Sequence, residues 1–406
     1  MEIDMWDELA LNASKVFTPA APVDEQQLFA GRIEQLRQVI DVVNQKGQHA
    51  IIFGERGVGK TSLANVIVSK FSFENIIALR KNCDSSDDYS SLWRKIFSDI
   101  KLNYEKQIPG FMAQTTIKFV DLAESIRGEI SPDRVREILV LLSGTQLPII
   151  IIDEFDRISK GEVRAAMADT IKSLSDNAVK ATIILVGVAG SVDELIKEHQ
   201  SVERALVQIK MPRMSGDELG LIIDNGLKIL NMTIDNNAKK QITLLSQGLP
   251  HYTHLLGLHA VRWAIDNKTK NITINHVESA ITKALEQAQQ TILSAYHKAI
   301  TSPRKDTLFE QVLLACALAK TDDLGYFAAA DVREPLSIIM GKNYEIPSFS
   351  RHLNDFCDTS RGSIIHKMGV KRRYRFRFDN PLMQPFVTMQ GFSHKLIDRE
   401  KLELLK

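Results

Sequence analysis

Short apolar runs alternate with amphipathic stretches through the first half of the chain, and this alternation predicts a parallel α/β sheet. The run Ile149–Ile152 has no polar alternation, which is typical of a central strand buried on both faces. Together with this run, three others predict strands: His49–Phe53, Asn75–Arg80 and Ala181–Gly187.

Helical periodicity fills most of the remaining first half. Ser131 is expected to cap a helix that has Pro132 at its first position. The segment 84–147 is mostly helical in pattern, with Pro109–Gly110 as a break. Other predicted elements are an amphipathic helix within the first 22 residues, a Pro/Ala-rich arm at Thr18–Pro22, and helices at Glu25–Asn44, Lys60–Phe71 and 161–176.

The pattern changes near Met211–Pro212. From Ser215 to about Ile300 it is helical throughout, with a break at Gly248–Pro250, and Ile274–Ala299 is expected to form one long helix. The last hundred residues predict helices and a β-hairpin. We therefore divide the chain as follows: 1–24, N-terminal arm; 25–212, α/β core; 213–303, helical lid; 304–392, winged helix; 393–406, C-terminal tail.

A glycine-rich turn follows the first predicted strand and matches the pattern G-x-x-x-x-G-K-[ST] of a phosphate-binding loop. Its backbone N–H groups and the dipole of the next helix would hold phosphate oxygens. Lys60 would reach the β and γ phosphates of ATP, and the Thr61 hydroxyl would ligate Mg²⁺. The expected nucleotide-binding residues are Gly54, Glu55, Arg56, Gly57, Val58, Gly59, Lys60, Thr61 and Ser62.

Two carboxylates come directly after the buried run Ile149–Ile152. The carboxyl ends of parallel strands share one edge of the sheet, so Asp153 and Glu154 are expected beside the phosphate-binding loop. Asp153 would hold Mg²⁺, and Glu154 would act as the catalytic residue that orients the attacking water. For Arg157 an ordinary surface or capping role is the expectation.

Composition narrows the class of protein. Apolar residues make up 44% of the chain and charged residues 25%, which is typical of a soluble globular protein, and the net charge of +1 requires any nucleic-acid binding to come from a local patch. No apolar run approaches the roughly 18 residues of a membrane span. The acidic N-terminus does not resemble a secretory signal, and the three cysteines are far apart, so we expect a cytoplasmic location.

The C-terminal region predicts a winged helix with a basic wing. Helical patterns at Asp306–Ala319, Ala328–Gly341 and Ser348–Cys357 precede a hairpin of Ser363–Met368 and Arg373–Phe378. Period-two alternation would put three aromatics, Tyr374, Phe376 and Phe378, on the core face and three arginines outward. Candidate contacts to DNA phosphates are Arg351, Lys371, Arg372, Arg373, Arg375 and Arg377. A charged, solvated edge hairpin is the alternative.

The motifs together resemble the AAA+ superfamily, and within it the origin-recognition and replication-initiator ATPases and related regulatory ATPases. The resemblance spans about 25–300 and rests on Phe29–Arg32, the phosphate-binding loop, Asp153–Asp156 and Ser201–Arg204. It implies an α/β parallel-sheet core, an all-helical lid and a winged helix. It also implies that residues near Val23 and Arg32 border the adenine and that Arg204 is the catalytic arginine finger of a neighbouring subunit, although an ordinary surface arginine is an equal alternative.

Two positions depart from the family pattern. Only Ser191 stands where an Asn or Thr sensor is usual, and His251 stands near the place of the sensor arginine, where a packing role is as well supported. Fast hydrolysis is therefore in doubt. The hypothesis is an ATP-hydrolysing switch that assembles as a homo- or hetero-oligomer and binds duplex DNA. The alternative is a switch similar to the STAND group of signalling ATPases, whose winged helix binds a protein effector.

Overall fold

The structure is a computed structural model that describes residues 4–22, 30–73, 75–108, 114–188, 202–302, 307–370 and 373–405, with the backbone alone for 102–108 and 114–120. The strands of the described residues are β1 His49–Phe53, β2 Ile76–Asn82, β3 Lys101–Ile108, β4 Gln114–Asp121, β5 Leu147–Asp153, β6 Thr182–Gly187, β7 Leu206–Lys210, β8 Thr233–Ile234, β9 Asn271–Ile272, β10 Phe327–Ala328, β11 Ile365–Met368 and β12 Arg375–Phe378.

The α-helices of the described residues alternate with these strands in the core and predominate in the lid. They are α1 Met5–Val16, α2 Ile33–Asn44, α3 Lys60–Lys70, α4 Tyr89–Phe97, α5 Pro132–Ser143, α6 Gly161–Asp176, α7 Gly216–Ile229, α8 Asn236–Leu245, α9 Pro250–Asp266, α10 Ile274–Glu286, α11 Gln290–Ile300, α12 Phe309–Leu318, α13 Arg333–Met340, α14 Ile346–Phe356, α15 Met383–Ser393 and α16 Arg399–Leu404. None of the helices in these ranges is both long and apolar enough to cross a membrane.

The core is a five-stranded parallel sheet in the order β2-β5-β6-β1-β7. Successive side chains of the central strands point to opposite faces. Ile150 and Ile152 pack with the helices α4–α6, whereas Ile149 and Ile151 join the cluster formed with α2 and α3. The predicted fold class of a parallel α/β P-loop core is confirmed.

The apolar cluster that contains Ile149 and Ile151 is continuous from the sheet into the lid and the C-terminal domain. It takes in Val39 of α2, Leu256 of α9 and Phe386 of α15, all of them buried. Lid and C-terminal domain are therefore packed against the core through shared hydrophobic side chains.

Several predicted boundaries agree with the structure. β1 has the predicted bounds, and Ser131 accepts a hydrogen bond from the N–H of Arg134 with Pro132 at the first helical position. Part of the predicted helix Glu25–Asn44 lies outside the described residues, and the described part begins at Ile33. The strand β7 was not predicted.

The helical interpretation of 84–147 is wrong for its middle part. β3 and β4 form an antiparallel hairpin there, with Leu102 opposite Val120 and Tyr104 opposite Lys118. β-branched and aromatic residues favour this arrangement, since β4 contains Thr115–Ile117, Phe119 and Val120. Pro109–Gly110 lies outside the described residues.

The single helix expected over Ile274–Ala299 is also wrong, because the chain forms α10 and α11 with a break at Gln287–Gln289. The break contains no glycine or proline from which it could have been predicted. α10 packs mainly on α9 of the lid and also contacts α15, whereas α11 packs on α12 and α15, so the two helices follow different tertiary contacts.

The C-terminal domain has the order of elements expected of a winged helix. α12 is followed by β10, α13, α14 and the hairpin of β11 and β12, and the strands form an antiparallel sheet in the order β10-β12-β11. The predicted helix Ala328–Gly341 starts instead with β10 and a 3₁₀ turn. Residues 303–306, where the sequence suggested a domain boundary, lie outside the described residues.

Candidate nucleotide-binding site

A cleft of about 780 Å³ opens where the carboxyl ends of the central strands meet the lid and the N-terminal arm. It brings Arg56–Ser62 of the phosphate-binding loop together with Asp153 and Glu154, as the sequence predicted. Gly54 and Glu55 do not line the cleft. Further lining residues come from the arm (Thr18–Pro22), the lid (Met214, Ile222, Pro250, His251, His254) and the C-terminal domain (Leu382).

The phosphate-binding loop has the backbone that its glycines permit. Gly57 and Gly59 have φ of +88° and +94°, in the left-handed region that suits glycine, and α3 begins directly after Gly59. The Lys60 ammonium donates to the carbonyl oxygens of Gly54 at 3.0 Å and Glu55 at 2.8 Å. Burial lowers the pKa of Lys60, while the carboxylates of Asp156, Asp153 and Glu55 oppose this shift.

The buried carboxylate of Asp153 has one oxygen in use and one available. Oδ1 accepts the N–H of Glu154 at 2.8 Å, whereas Oδ2 accepts no hydrogen bond from the described residues and has Arg80 Nε at 3.5 Å. Thr61 lines the same cleft. A hydroxyl and a carboxylate oxygen that accepts no hydrogen bond in the described part of the chain, beside a phosphate-binding loop, fit Mg²⁺, which takes a few protein oxygens together with phosphate and water.

Glu154 lies at the cleft in an uncommon backbone conformation. Its φ of 54° is in the left-handed region, which non-glycine residues adopt rarely. Its Oε2 accepts a hydrogen bond from Arg157 at 3.0 Å, and this bond raises the pKa of Arg157. Arg157, for which a surface or capping role was expected, therefore pairs with the candidate catalytic carboxylate.

Arg204 lies outside the cleft. It precedes β7 at the amino edge of the parallel sheet, opposite the edge that carries the phosphate-binding loop, and it donates to Asp176 at 2.7 Å. Its side chain is 78% exposed. The candidate sensor Ser191 and the arm residue Val23 lie outside the described residues.

Two lid histidines fasten the N-terminal arm beside the cleft. His251 Nδ1 is 2.8 Å from the carbonyl oxygen of Pro19, so this nitrogen donates, and His254 Nδ1 accepts the N–H of Thr18 at 3.3 Å. Burial lowers the pKa of both histidines, that of His254 to about 4. His251 therefore lines the cleft and at the same time binds the arm.

The arm, and not only the expected Arg32, forms the wall of the cleft on the lid side. Arg32 is buried and donates to the carbonyl oxygens of Val58 at 3.0 Å and Pro212 at 2.6 Å. It lines the cleft while bracing the backbone of the phosphate-binding loop. The sequence signals for the arm were the proline and alanine content of Thr18–Pro22 and the resemblance that places residues near Val23 at the adenine, whereas Leu382 had no such signal.

The wing differs in part from the predicted alternation. Phe376 and Phe378 are buried as expected, but Tyr374 is exposed and carries Lys367 over its ring at 4.7 Å, so its predicted place in the core is wrong. Tyr374 precedes the paired part of β12, which begins at Arg375, and pairing with a neighbouring strand is what fixes the inward face.

The basic side chains of this domain are unequally available. Arg375 Nη2 donates to Asp322 Oδ2 at 2.9 Å, and the guanidinium of Arg377 lies over the Tyr326 ring at 4.6 Å. Arg373 is exposed, and Arg351 is 86% exposed with only a distant pair to Asp355 at 3.8 Å. Lys371 and Arg372 lie outside the described residues.

Comparison with known proteins supports the class that the fold and cleft define. Residues 43–196 match the protein family described as the AAA domain, and this segment contains the phosphate-binding loop and the acidic pair. This match over 43–196 confirms the AAA-type P-loop ATPase domain that the motifs indicated. No curated protein matches the sequence.

Solved structures extend the likeness of fold over most of the chain. The Walker-type ATPase PABY2304 of Pyrococcus abyssi is 16% identical with a TM-score of 0.52, over 92% of this chain and 99% of that one. The ORC1 protein of Aeropyrum pernix, in complex with DNA, is 14% identical with a TM-score of 0.48, over 94% and 97%. The RuvB Holliday junction branch migration motor of Thermotoga maritima is 12% identical with a TM-score of 0.46, over 92% and 98%.

Proposed function

We propose that this protein is an ATP-controlled switch that binds duplex DNA through its C-terminal winged helix. In the ATPase domain, Lys60 would hold the β and γ phosphates, Thr61 and Asp153 would hold Mg²⁺, and Glu154 would orient the attacking water. The bound cation supplies charge stabilisation for the transferred phosphoryl group. Val58 and its glycine neighbours would supply backbone N–H donors.

The observation that carries the DNA part is the placing of basic side chains on α14 and the wing. The segment Arg361–Phe378 contains no Asp or Glu. Arg351 on α14 and Arg373 in the hairpin are exposed, and α14 is the helix before the hairpin, the position of a recognition helix. Guanidinium groups of this kind bind phosphate oxygens irrespective of base sequence.

A double variant, compared with a control variant that loses the same net charge, tests the proposal. Replacing Arg351 and Arg373 by Gln removes two exposed cations and should reduce the slope of log affinity against log salt by about 2 units, at about 0.9 per phosphate contact. The control replaces Lys172 and Lys228 by Gln, since both are exposed and lie in the core and the lid. Fluorescence anisotropy on duplex DNA across a salt series makes the measurement.

Equal slopes for the two double variants would remove α14 and the wing from DNA binding. Arg375 and Arg377 already have partners within the domain, so we expect less from them than from the exposed pair. Period-two alternation alone would let Arg373, Arg375 and Arg377 contribute equally to DNA binding. The contacts of Arg375 and Arg377 make their expected contributions smaller.

A second candidate function is a switch whose winged helix binds a protein effector. The observation that favours it is the apolar tip of the hairpin, where Met368 is 46% exposed and Val370 is 68% exposed. Exposed apolar side chains rimmed by charge are common in protein interfaces. Wild-type protein that shows no affinity for duplex DNA at low salt with ATP present would favour this candidate.

A further inference from the structure

The second residue of the phosphate-binding loop, Glu55, is held by other domains. Its side chain is 2% exposed and forms two hydrogen bonds with Arg213, Nε to Oε2 at 2.5 Å and Nη2 to Oε1 at 3.2 Å. Arg213, which lies just ahead of α7, also donates to the carbonyl oxygen of Gln247 at 3.2 Å. The Glu55 carboxylate therefore ties the loop to the lid.

A turn of the winged helix packs against the same carboxylate. Gly325 is buried with φ of +80°, and a Cβ at this position would overlap Oε1 of Glu55. The turn is ordered by Asp322, whose Oδ1 accepts the N–H groups of Leu324 at 3.0 Å and Tyr326 at 2.9 Å. Only a glycine at 325 permits this approach of the turn Asp322–Tyr326 to the loop.

The far side of this turn contacts the wing. Arg375 Nη2 donates to Asp322 Oδ2 at 2.9 Å and to the carbonyl oxygen of Tyr326 at 3.0 Å. A second attachment joins Asp323 to Lys210, the last residue of β7, at 2.6 Å. One turn of five residues thus connects a wing arginine with the phosphate-binding loop.

We propose that the turn Asp322–Tyr326 positions the phosphate-binding loop for ATP through Glu55, and that Arg375 of the wing determines how firmly it does so. Lys60 donates to the carbonyl oxygen of Glu55, so a shift of this residue moves the anchor of the phosphate-binding lysine. A loop that is held in place from outside loses less conformational freedom when it binds a ligand.

Anion binding at Arg375 and ATP binding at the loop are coupled, because both depend on where the Arg375 guanidinium lies. An anion that draws the guanidinium away from Asp322 loosens the turn and weakens ATP binding. By reciprocity of binding free energies, ATP then weakens anion binding at Arg375 by the same factor. The positioning role of the turn requires no DNA. It can therefore be tested, and can fail, independently of the proposal that the protein binds DNA.

Two matched glycine variants test the positioning role. Gly325→Ala should raise the Kd for ATP, measured by calorimetry with Mg²⁺, at least tenfold, while kcat at saturating ATP stays near the wild-type value. Gly341→Ala is the control: its φ is +67°, it lies in the same domain, and no atom is within 4 Å of the added Cβ. Both variants carry a similar backbone penalty.

Thermal melting of both variants checks that the comparison concerns folded protein. Equal Kd values for Gly325→Ala and Gly341→Ala would overturn the positioning role. The Glu55→Ala background adds a further check, because removing the carboxylate should abolish the extra effect of Gly325→Ala.

A pair of ion-pair variants tests the contribution of Arg375 in the wing, and this test does not depend on whether Gly325→Ala folds. Arg375→Gln should raise the Kd for ATP about threefold or more, whereas Arg333→Gln should leave it unchanged. The control pair, Arg333 with Glu345 at 2.6 Å, is an exposed ion pair of the same domain, like Arg375 with Asp322. Equal Kd values for these two variants would sever the proposed link between wing and loop.

Discussion

At the scale of single residues, Lys60 combines charge, burial and a defined hydrogen-bond geometry. Its ammonium is held by the loop carbonyls of Gly54 and Glu55, and it faces the carboxylates of Asp153 and Asp156 across the cleft. Phosphate oxygens would replace these weaker carbonyl acceptors with full negative charge, and hydrogen bonds between charged groups are the strong ones.

We expect Lys60→Ala to lose at least about 30-fold in ATP affinity, since leaving one partner of a buried charge pair alone costs about 2–5 kcal/mol. Calorimetric titration with Mg²⁺–ATP measures this. Lys172→Ala, a change at an exposed lysine of α6, is the control. Wild-type affinity in Lys60→Ala would contradict the assignment of the phosphate-binding loop.

Glu154 allows binding and chemistry to be separated. Glu154→Gln should retain ATP affinity and lose about 10²–10⁴ in turnover, because the amide no longer accepts a proton from the attacking water. Steady-state phosphate release and ATP titration are measured together, with the exposed Glu162→Gln as control. If Glu154→Gln turns over ATP like the wild type, this carboxylate has no part in the hydrolysis step.

At the scale of elements, local motifs were predictable and long-range contacts were not. The loop residues Arg56–Thr61 and the acidic pair after Ile149–Ile152 follow strands that their own sequences specify, so both line the cleft as predicted. The hairpin of β3 and β4 depends on pairing between strands whose sequences also permit helix. The contact of Gly325 with Glu55 joins positions far apart in sequence, and no local pattern announces it.

The junction of α1 with α9 is another long-range contact, and it determines where the arm runs. Phe17 is buried against Gly226 of α7 and Gly257 of α9, where an added Cβ would lie 2.6 Å and 2.8 Å from its ring. His254 packs edge-on against the same ring with centroids 6.1 Å apart. These contacts hold the arm at the cleft beyond the hydrogen bonds of the two histidines.

This junction should weaken in acid. The unfolded chain takes up a proton on His254 near pH 6.5, whereas burial lowers the folded-state pKa to about 4. The neutral histidine therefore contributes stability that is present above about pH 6.5 and is lost as the pH falls towards 4. Between pH 7 and 5 the loss should be about 2 kcal/mol, at about 1.36 kcal/mol per unit.

Urea unfolding at pH 7 and pH 5 measures this contribution. His254→Gln, which does not titrate in this range, should show a pH dependence smaller by about 2 kcal/mol than the wild type. His297→Gln, at an exposed position of α11, is the matched histidine control. An identical pH dependence in His254→Gln and the wild type would mean that this histidine is not buried as described.

At the scale of the whole molecule, one apolar cluster links the sheet, the lid and the C-terminal domain, and the cleft is lined by residues from all three. Leu382 of the C-terminal domain lines the cleft, and its carbonyl oxygen accepts the hydroxyl of Tyr252 from α9 at 2.7 Å. A nucleotide in the cleft would therefore touch the core, the lid and the C-terminal domain at once. This arrangement allows a change at the phosphates to alter how the domains pack.

The position of Arg204 decides whether it could act on its own nucleotide or on that of a neighbouring subunit. It precedes β7, whereas the phosphate-binding loop follows β1, and these parallel strands of five residues each separate the two sites by roughly 17 Å. Arg204 cannot reach its own nucleotide across the sheet, so a finger role is possible only towards a neighbouring subunit. Its exposed pair with Asp176 is worth about 0–1 kcal/mol, so release from that pair costs little.

If Arg204 completes the site of a neighbour, ATPase activity should rise more steeply than linearly with protein concentration, because only assembled subunits have a complete site. Arg204→Ala should bind ATP normally and lose this excess activity, since an arginine finger stabilises charge in the transition state. Asp176→Asn frees the guanidinium and should retain the excess or increase it. The measurement is phosphate release over a wide range of protein concentration, with light scattering for mass. Strictly proportional activity in wild-type protein that does assemble, or equal curves for Arg204→Ala and wild type, would leave Arg204 as a surface arginine.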